Sequence, residues 1–106
     1  VARIRGLLSE RPLAEWPGFD ALAAELQTAP STLRRRLERE GSSFQVIKDD
    51  LRRDMAIDLL CNSPRSVDDI GFALGFAEHS AFYRAFRRWT GASPGEYRGR
   101  AAGLAD

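Results

Sequence analysis

The sequence predicts an all-α fold: two helix-turn-helix subdomains joined by a long linker helix, about seven helices in all. Three observations lead there. Apolar residues recur at helical spacing along nearly the whole chain, and no segment shows a sustained two-residue alternation rich in β-branched residues. Proline, glycine and capping residues divide that periodicity into short helices and one long one. The short helices on one side of the long one repeat those on the other.

The elements follow in chain order. Val1 to Ser9 carries Val1, Ile4, Leu7 and Leu8 at helical spacing, and "RPLAEWPG" ends that helix with two prolines and a glycine. Phe19 to Leu26 is a second short helix with Phe19, Leu22 and Leu26 on one face. "QTAP" separates it from a third, Pro30 to Glu40, in which proline suits the first helical position. Gly41 stops that helix, and Ser42 with Gln45 reads as a capping box for the long helix, whose apolar stripe of Phe44, Ile47, Leu51, Met55 and Leu59 runs to about Cys61. About 18 residues at ~1.5 Å each make a rod of roughly 27 Å. "NSPRS" ends it, and Ser66 with Asp69 caps a helix over Val67 to Leu74. Gly75 turns the chain into Glu78 to Trp89. Ser93 and Glu96 then cap a last short helix with Pro94 at its first position. The expected organisation is a first unit over 1–41, a linker helix over 42–61, a second unit over 66–98 and a tail over 99–106.

Composition narrows the function classes. A chain of 106 residues is one domain's worth, with little room for a large cavity with catalytic walls. Its net charge is only +1, so the placement of the basic residues matters more than their number; fifteen of the sixteen are arginine and the other is Lys48. The single cysteine, Cys61, cannot close an internal disulfide, and no apolar run or signal-peptide pattern points to a membrane or to secretion. A soluble, cytoplasmic protein is expected. The start at Val1, without a methionine, suggests an excised piece of a longer chain.

The repeat is specific in its register. Phe19, Leu22 and Leu26 correspond at a constant offset to Val67, Ile70 and Leu74, and Ala23 corresponds to Gly71, a small residue where two helices can cross closely. After one extra residue in the second copy, Leu33, Arg35 and Leu37 correspond to Phe82, Arg84 and Phe86. With Leu33 and Leu37 facing inward, steps of about 100° place Ser31, Arg35 and Arg39 on the opposite face and Thr32 and Arg34 on its flanks. Glu38 shares the outer face, while Arg36 lies nearer the packed side as a rim or ion-pair residue. In the second copy Phe82, Phe86 and Trp89 point inward and Ser80, Arg84, Arg87 and Arg88 outward, with His79 in the first turn. A helix of about 10–12 Å diameter fits the roughly 12 Å major groove of DNA, where arginine can bond guanine O6 and N7 with two parallel donors. Arginine runs on amphipathic helices are most often solvated faces, so it is their pairing across the repeat that favours a DNA-reading surface.

The residues that carry this pattern resemble the AraC/XylS family of bacterial transcription regulators, in particular its C-terminal DNA-binding domain, from about Val1 to Arg98. The most specific stretch is "SVDDIGFALGFAEHSAFYRAFRRWTGASPGEYR", with Ile70, Leu74-Gly75-Phe76, Phe82, Phe86, Thr90-Gly91, Ser93-Pro94 and Tyr97-Arg98. "LRRRLEREGSSFQ" resembles the first-unit counterpart. The resemblance implies two recognition helices entering successive major-groove segments about 34 Å apart. It also implies base contacts from Ser31, Thr32, Arg34 and Arg35 in the first unit and from His79, Ser80, Tyr83 and Arg84 in the second, with phosphate contacts from Arg39, Arg87 and Arg88. RNA polymerase as a further partner, and an effector or dimerisation domain outside this chain, belong to the same implication. Three departures stand out: Gln27 where the second turn has Gly75, Ala29 and Ala77 where the family often has a capping serine, and Arg53 in the linker where the pattern is often apolar.

Two other function classes compete. One His and one Cys cannot supply a zinc site, no serine stands in a nucleophile-elbow context, and the adjacent acids Asp49/Asp50 and Asp68/Asp69 read as solvated or dipole-favoured residues, so neither an enzyme nor a cofactor is expected. His79 could serve as a base, but a polar first-turn residue or DNA contact is the simpler reading. A helical protein-interaction module binding an acidic partner through the outer arginines is the alternative that the near-neutral charge leaves open.

Overall fold

The computed structural model describes the backbone of residues 1–105 and the side chains of residues 1–100. Its helices are α1 (Ala2–Ser9), α2 (Phe19–Glu25), α3 (Pro30–Arg39), α4 (Phe44–Asn62), α5 (Val67–Ala73), α6 (His79–Thr90) and α7 (Pro94–Ala105), with a 3-10 turn at Leu13–Glu15. No strand occurs among the described residues. The chain divides into two compact units, Val1–Leu51 and Arg52 onward, with the boundary within α4. Helix α7 continues through the stretch expected to be a tail, and Asp106 lies outside the described residues.

The first unit closes around Ile4, Leu8, Leu22, Ala23, Leu33, Leu37 and Ile47, all buried, with Trp16, Phe19 and Phe44 packed against them. Trp16 also closes the end of α1. Its indole Nε1 donates to the carbonyls of Leu8 (2.9 Å) and Arg11 (3.3 Å), and the Leu8 oxygen also accepts from Arg11 N–H at 3.1 Å. Helix α2 ends in a Schellman turn, Thr28 N–H donating to Ala23 O and Gln27 N–H to Ala24 O, each at 3.0 Å. That turn needs a left-handed residue, and Gln27 supplies it at φ 55°. Gly41 ends α3 in the same way at φ 71°.

The second unit is built on aromatic rings. Phe82 and Phe86 are fully buried, with ring centroids 5.9 Å apart, and Phe76 packs 5.4 Å from Phe82 and 6.2 Å from Trp89. Ile70, Leu74, Ala56, Leu60 and Ala92 complete this core. The turn from α5 into α6 repeats that of the first unit, Phe76 N–H donating to Gly71 O (3.1 Å) around Gly75 at φ 90°. Arg52 secures it from α4: its guanidinium lies 4.2 Å from the Phe76 ring centroid and donates to Leu74 O at 3.2 Å.

Capping corrects two of the sequence expectations. The N-cap of α4 is Ser43, whose Oγ accepts from Val46 N–H at 3.1 Å; Ser42 stands one residue outside, and Gln45 instead reaches Asp49 at 3.0 Å. The N-cap of α6 is Glu78 and not Ala77, because the extra residue of the second copy falls in the turn before it. Neither Ala29 nor Glu78 makes a side-chain cap bond, so both α3 and α6 start without one. The other two caps form as read: Asp69 N–H donates to Ser66 Oγ at 3.1 Å, and Ser93 and Glu96 bond each other reciprocally.

Candidate nucleic-acid interface

Leu33 and Leu37 anchor the inner face of α3, and the helical repeat therefore turns Ser31, Arg34, Arg35 and Arg39 to solvent. All four are exposed, and Thr32 is half-buried on the flank. Arg34 leans sideways, its guanidinium 5.3 Å from the centroid of the Phe19 ring. Phe19 also meets Phe44 at 5.7 Å, and Lys48 lies 4.7 Å over the Phe44 ring, so two cations and two rings border an open groove of about 360 Å³ beside α3. Glu38 is exposed on the same helix and lowers its net charge. Arg36 is exposed as well, at the rim of a shallow depression that also includes Glu40.

On α6 the anchors are Phe82, Ala85 and Phe86, which leave His79, Ser80, Arg84, Arg87 and Arg88 exposed and Tyr83 half-buried. His79 does not project freely. Its Nδ1 is bound by the carboxylate of Asp68 on α5, and its ring lies 4.1 Å from that of Tyr83, one helical turn on. Sequence reasoning misses the Asp68 contact and takes Asp68 for a dipole-favoured acid only; two residues eleven positions apart are brought together by the Gly75 turn, which spacing alone does not reveal. It misses the Phe19 seat of Arg34 for a similar reason.

The arginines fall into two groups. Arg5 pairs with Asp50 (2.7 Å), Arg11 with Glu25 (2.6 Å) and Arg53 with Asp54 (3.1 Å), while Arg52 and Arg98 bond main-chain carbonyls. Arg35, Arg39, Arg84, Arg87 and Arg88 form no salt bridge among the described residues. Among the described residues, exposed guanidinium groups without a carboxylate partner are thus found on the outer faces of α3 and α6, although Arg3, Arg36 and Arg65 show that such arginines also occur elsewhere.

A family model described as a helix-turn-helix domain matches residues 22–100. The chain belongs to the AraC-type helix-turn-helix family. It is 39% identical over 98 residues to the ornithine utilization regulator of Pseudomonas aeruginosa, covering 92% of this chain and 29% of that protein. Among solved structures, a DNA-binding transcriptional dual regulator from Escherichia coli K-12 superposes with a TM-score of 0.84 at 27% identity, over 94% of this chain and 89% of the other. The DNA-binding domain of the global transcriptional factor AdpA, solved in complex with a target DNA, matches with a TM-score of 0.75 at 31% identity, over 93% and 89%. The chain therefore spans less than a third of the ornithine regulator.

Seen as AraC-type positions, the signature residues outside the outer faces are structural. Thr90 Oγ1 donates to Phe86 O (3.0 Å) and accepts from Ala92 N–H (3.2 Å), and Gly91 takes φ 81° to end α6. Tyr97 packs edge-on against Phe86 at 5.5 Å. Arg98 donates from Nε to Leu60 O (3.1 Å) and from Nη2 to Ser63 O (3.3 Å), placing a cation at the carbonyl end of α4. These contacts fix how α6 is held; they leave its outer face free. Among the described residues no helix is long and apolar enough to cross a membrane, and no cluster of His, Cys, Asp or Glu could hold a metal ion.

Proposed function

We propose that this AraC-type domain binds double-stranded operator DNA sequence-specifically, as the DNA-reading part of a bacterial transcription regulator, with α3 and α6 entering successive segments of the major groove. The observation that carries this reading is the set of exposed arginines without carboxylate partners on the two recognition helices. A cation that folding leaves unpaired is free to displace counterions from phosphate or to bond guanine. The target DNA bound by the AdpA domain supports the same reading.

Ser31, Thr32, Arg34 and Arg35 in the first unit, and His79, Ser80, Tyr83 and Arg84 in the second, make the base contacts. Arg39, Arg87 and Arg88, towards the ends of their helices, contact phosphates. The domain is non-catalytic and works in the bacterial cytoplasm, associated with the nucleoid. Contact with RNA polymerase, and dimerisation through a separate domain, belong to the full-length regulator.

Binding of Arg35→Ala and Arg84→Ala to cognate and scrambled duplexes tests the assignment. Each variant should relax discrimination at one or two base pairs, at a cost of roughly 1–3 kcal/mol on the cognate site. Arg88→Ala should instead weaken all sequences by a similar factor. If both Arg35→Ala and Arg84→Ala bind the two duplexes as the parent does, these faces are not the readers.

A further inference from the structure

Asp68 and His79 are each 54% exposed, yet their side chains meet across the turn between α5 and α6, carboxylate Oδ1 on imidazole Nδ1. Tyr83 closes the other side, its ring centroid 4.1 Å from that of His79 and the two planes 32° apart. A histidine at the exposed start of a helix normally samples several rotamers and both tautomers. Here a carboxylate from a second helix and a ring from the following turn restrict both. The bond to Asp68 requires a proton on Nδ1, which leaves Nε2 as the ring nitrogen available for an outside partner.

We infer that Asp68 is a positioning residue for DNA reading: held between Asp68 and Tyr83, the His79 ring presents Nε2 in a fixed direction to a base edge. The inference rests on His79 contacting a base, as proposed above. Asp68 itself touches no DNA. It acts by fixing the orientation and protonated nitrogen of its neighbour, as a carboxylate does for a metal-bound histidine. Asp69 shares the first turn of α5, but the carboxylate bound to His79 is that of Asp68, which makes Asp69 a control for the charge at that helix start.

The experiment selects bound duplexes from a random pool with the parent domain and with His79→Ala, Asp68→Ala, Asp68→Asn, Asp69→Ala and the Asp68→Ala/His79→Ala double variant. Thermal unfolding of each free domain is recorded alongside. His79→Ala should flatten the base preference at one position of the site. Asp68→Ala should flatten the same position by at least half as much, and the double variant should go no further than His79→Ala alone. Asp68→Asn, whose amide oxygen still accepts from Nδ1–H, should keep most of the preference, and Asp69→Ala should keep it all. A parent-like profile for Asp68→Ala beside an altered one for His79→Ala overturns this inference and leaves the base-contact reading intact. The same holds if Asp68→Ala weakens every position uniformly with a lowered unfolding midpoint, because that marks a merely structural role. A parent-like profile for His79→Ala removes the base-contact reading of His79 and this inference with it.

Discussion

Gln27 and Gly75 hold the same left-handed backbone, at φ 55° and 90°, in the corresponding turns of the two units. Both turns are Schellman closures with matching hydrogen bonds, so the conformation is imposed by the architecture and not by the residue. Glycine adopts it without steric penalty, whereas a side chain with a Cβ is strained there.

Replacing Gln27 with glycine should therefore stabilise the first unit. The relief of left-handed strain, on the order of 1–2 kcal/mol, exceeds the extra chain entropy that glycine loses on folding, roughly 0.5–1 kcal/mol. Gln27→Gly should raise the denaturant midpoint by a net gain of about 0.5–1 kcal/mol, with cognate DNA affinity unchanged. A lowered midpoint would show that the glutamine side chain contributes something the turn geometry does not reveal.

Gly71 is small for a different reason. A Cβ built there would lie 2.9 Å from Phe82 Cδ2 and 3.1 Å from its Cβ and Cγ, and Phe82 is fully buried. In the first unit Leu33 stands in the place of Phe82, and the residue matching Gly71 is the buried Ala23. Gly71→Ala should cost about 1–3 kcal/mol in overpacking, against a helix-propensity gain of about 1 kcal/mol. Adding Phe82→Leu should recover part of the loss. Urea unfolding of the single and double variants checks this, and strictly additive effects would contradict the contact.

Arg98 provides a stability prediction separate from DNA binding. Its guanidinium serves three carbonyls at the end of α4, those of Leu59, Leu60 and Ser63. Arg98→Met keeps most of the aliphatic stem and removes these charge-assisted bonds, and should lower stability by about 1.5–3 kcal/mol. Base preference, measured below the unfolding transition, should not change. An altered preference would mean that Arg98 also reaches DNA.

Acid sensitivity should include a component from Glu25. The hydrogen bond from Arg11 at 2.6 Å holds the Glu25 carboxyl below its ordinary value. The folded state therefore gains stability that is complete above the ordinary glutamate value and is lost as pH falls through the lowered one. Both partners are at the surface, so the effect should be small and should fade with added salt. Unfolding measured at pH 7 and pH 3 should show a smaller acid loss in Glu25→Gln than in the parent; an equal loss would assign the acid sensitivity to other carboxylates.

Much of the fold is legible in the sequence because it is local. The inner faces of α3 and α6 follow from Leu33/Leu37 and Phe82/Phe86, and once those are fixed the 3.6-residue repeat places Arg35 and Arg84 on the exposed side. Ser66/Asp69 and Ser93/Glu96 are cap pairs three residues apart, and each forms as spaced. The start of α4 reads one residue early because Ser42 and Ser43 are adjacent and Gln45 lies at the capping-box distance from the first; Ser43 has the cap, which the side-chain pattern does not distinguish. The Asp68–His79 and Arg34–Phe19 contacts are not legible, since each joins two helices through the geometry of a turn. The division of arginines into paired and unpaired is hidden for the same reason: Arg5 and Asp50 lie 45 residues apart.

The central claim, that α3 and α6 are two DNA readers in one domain, is tested most directly by selecting bound duplexes from a random pool with the parent domain. An enriched bipartite site is predicted, its two half-sites about one helical turn apart, with preference lost in one half-site for Arg35→Ala and in the other for Arg84→Ala. A pool that stays random at low salt, or a single site whose preference both variants leave intact, would contradict it.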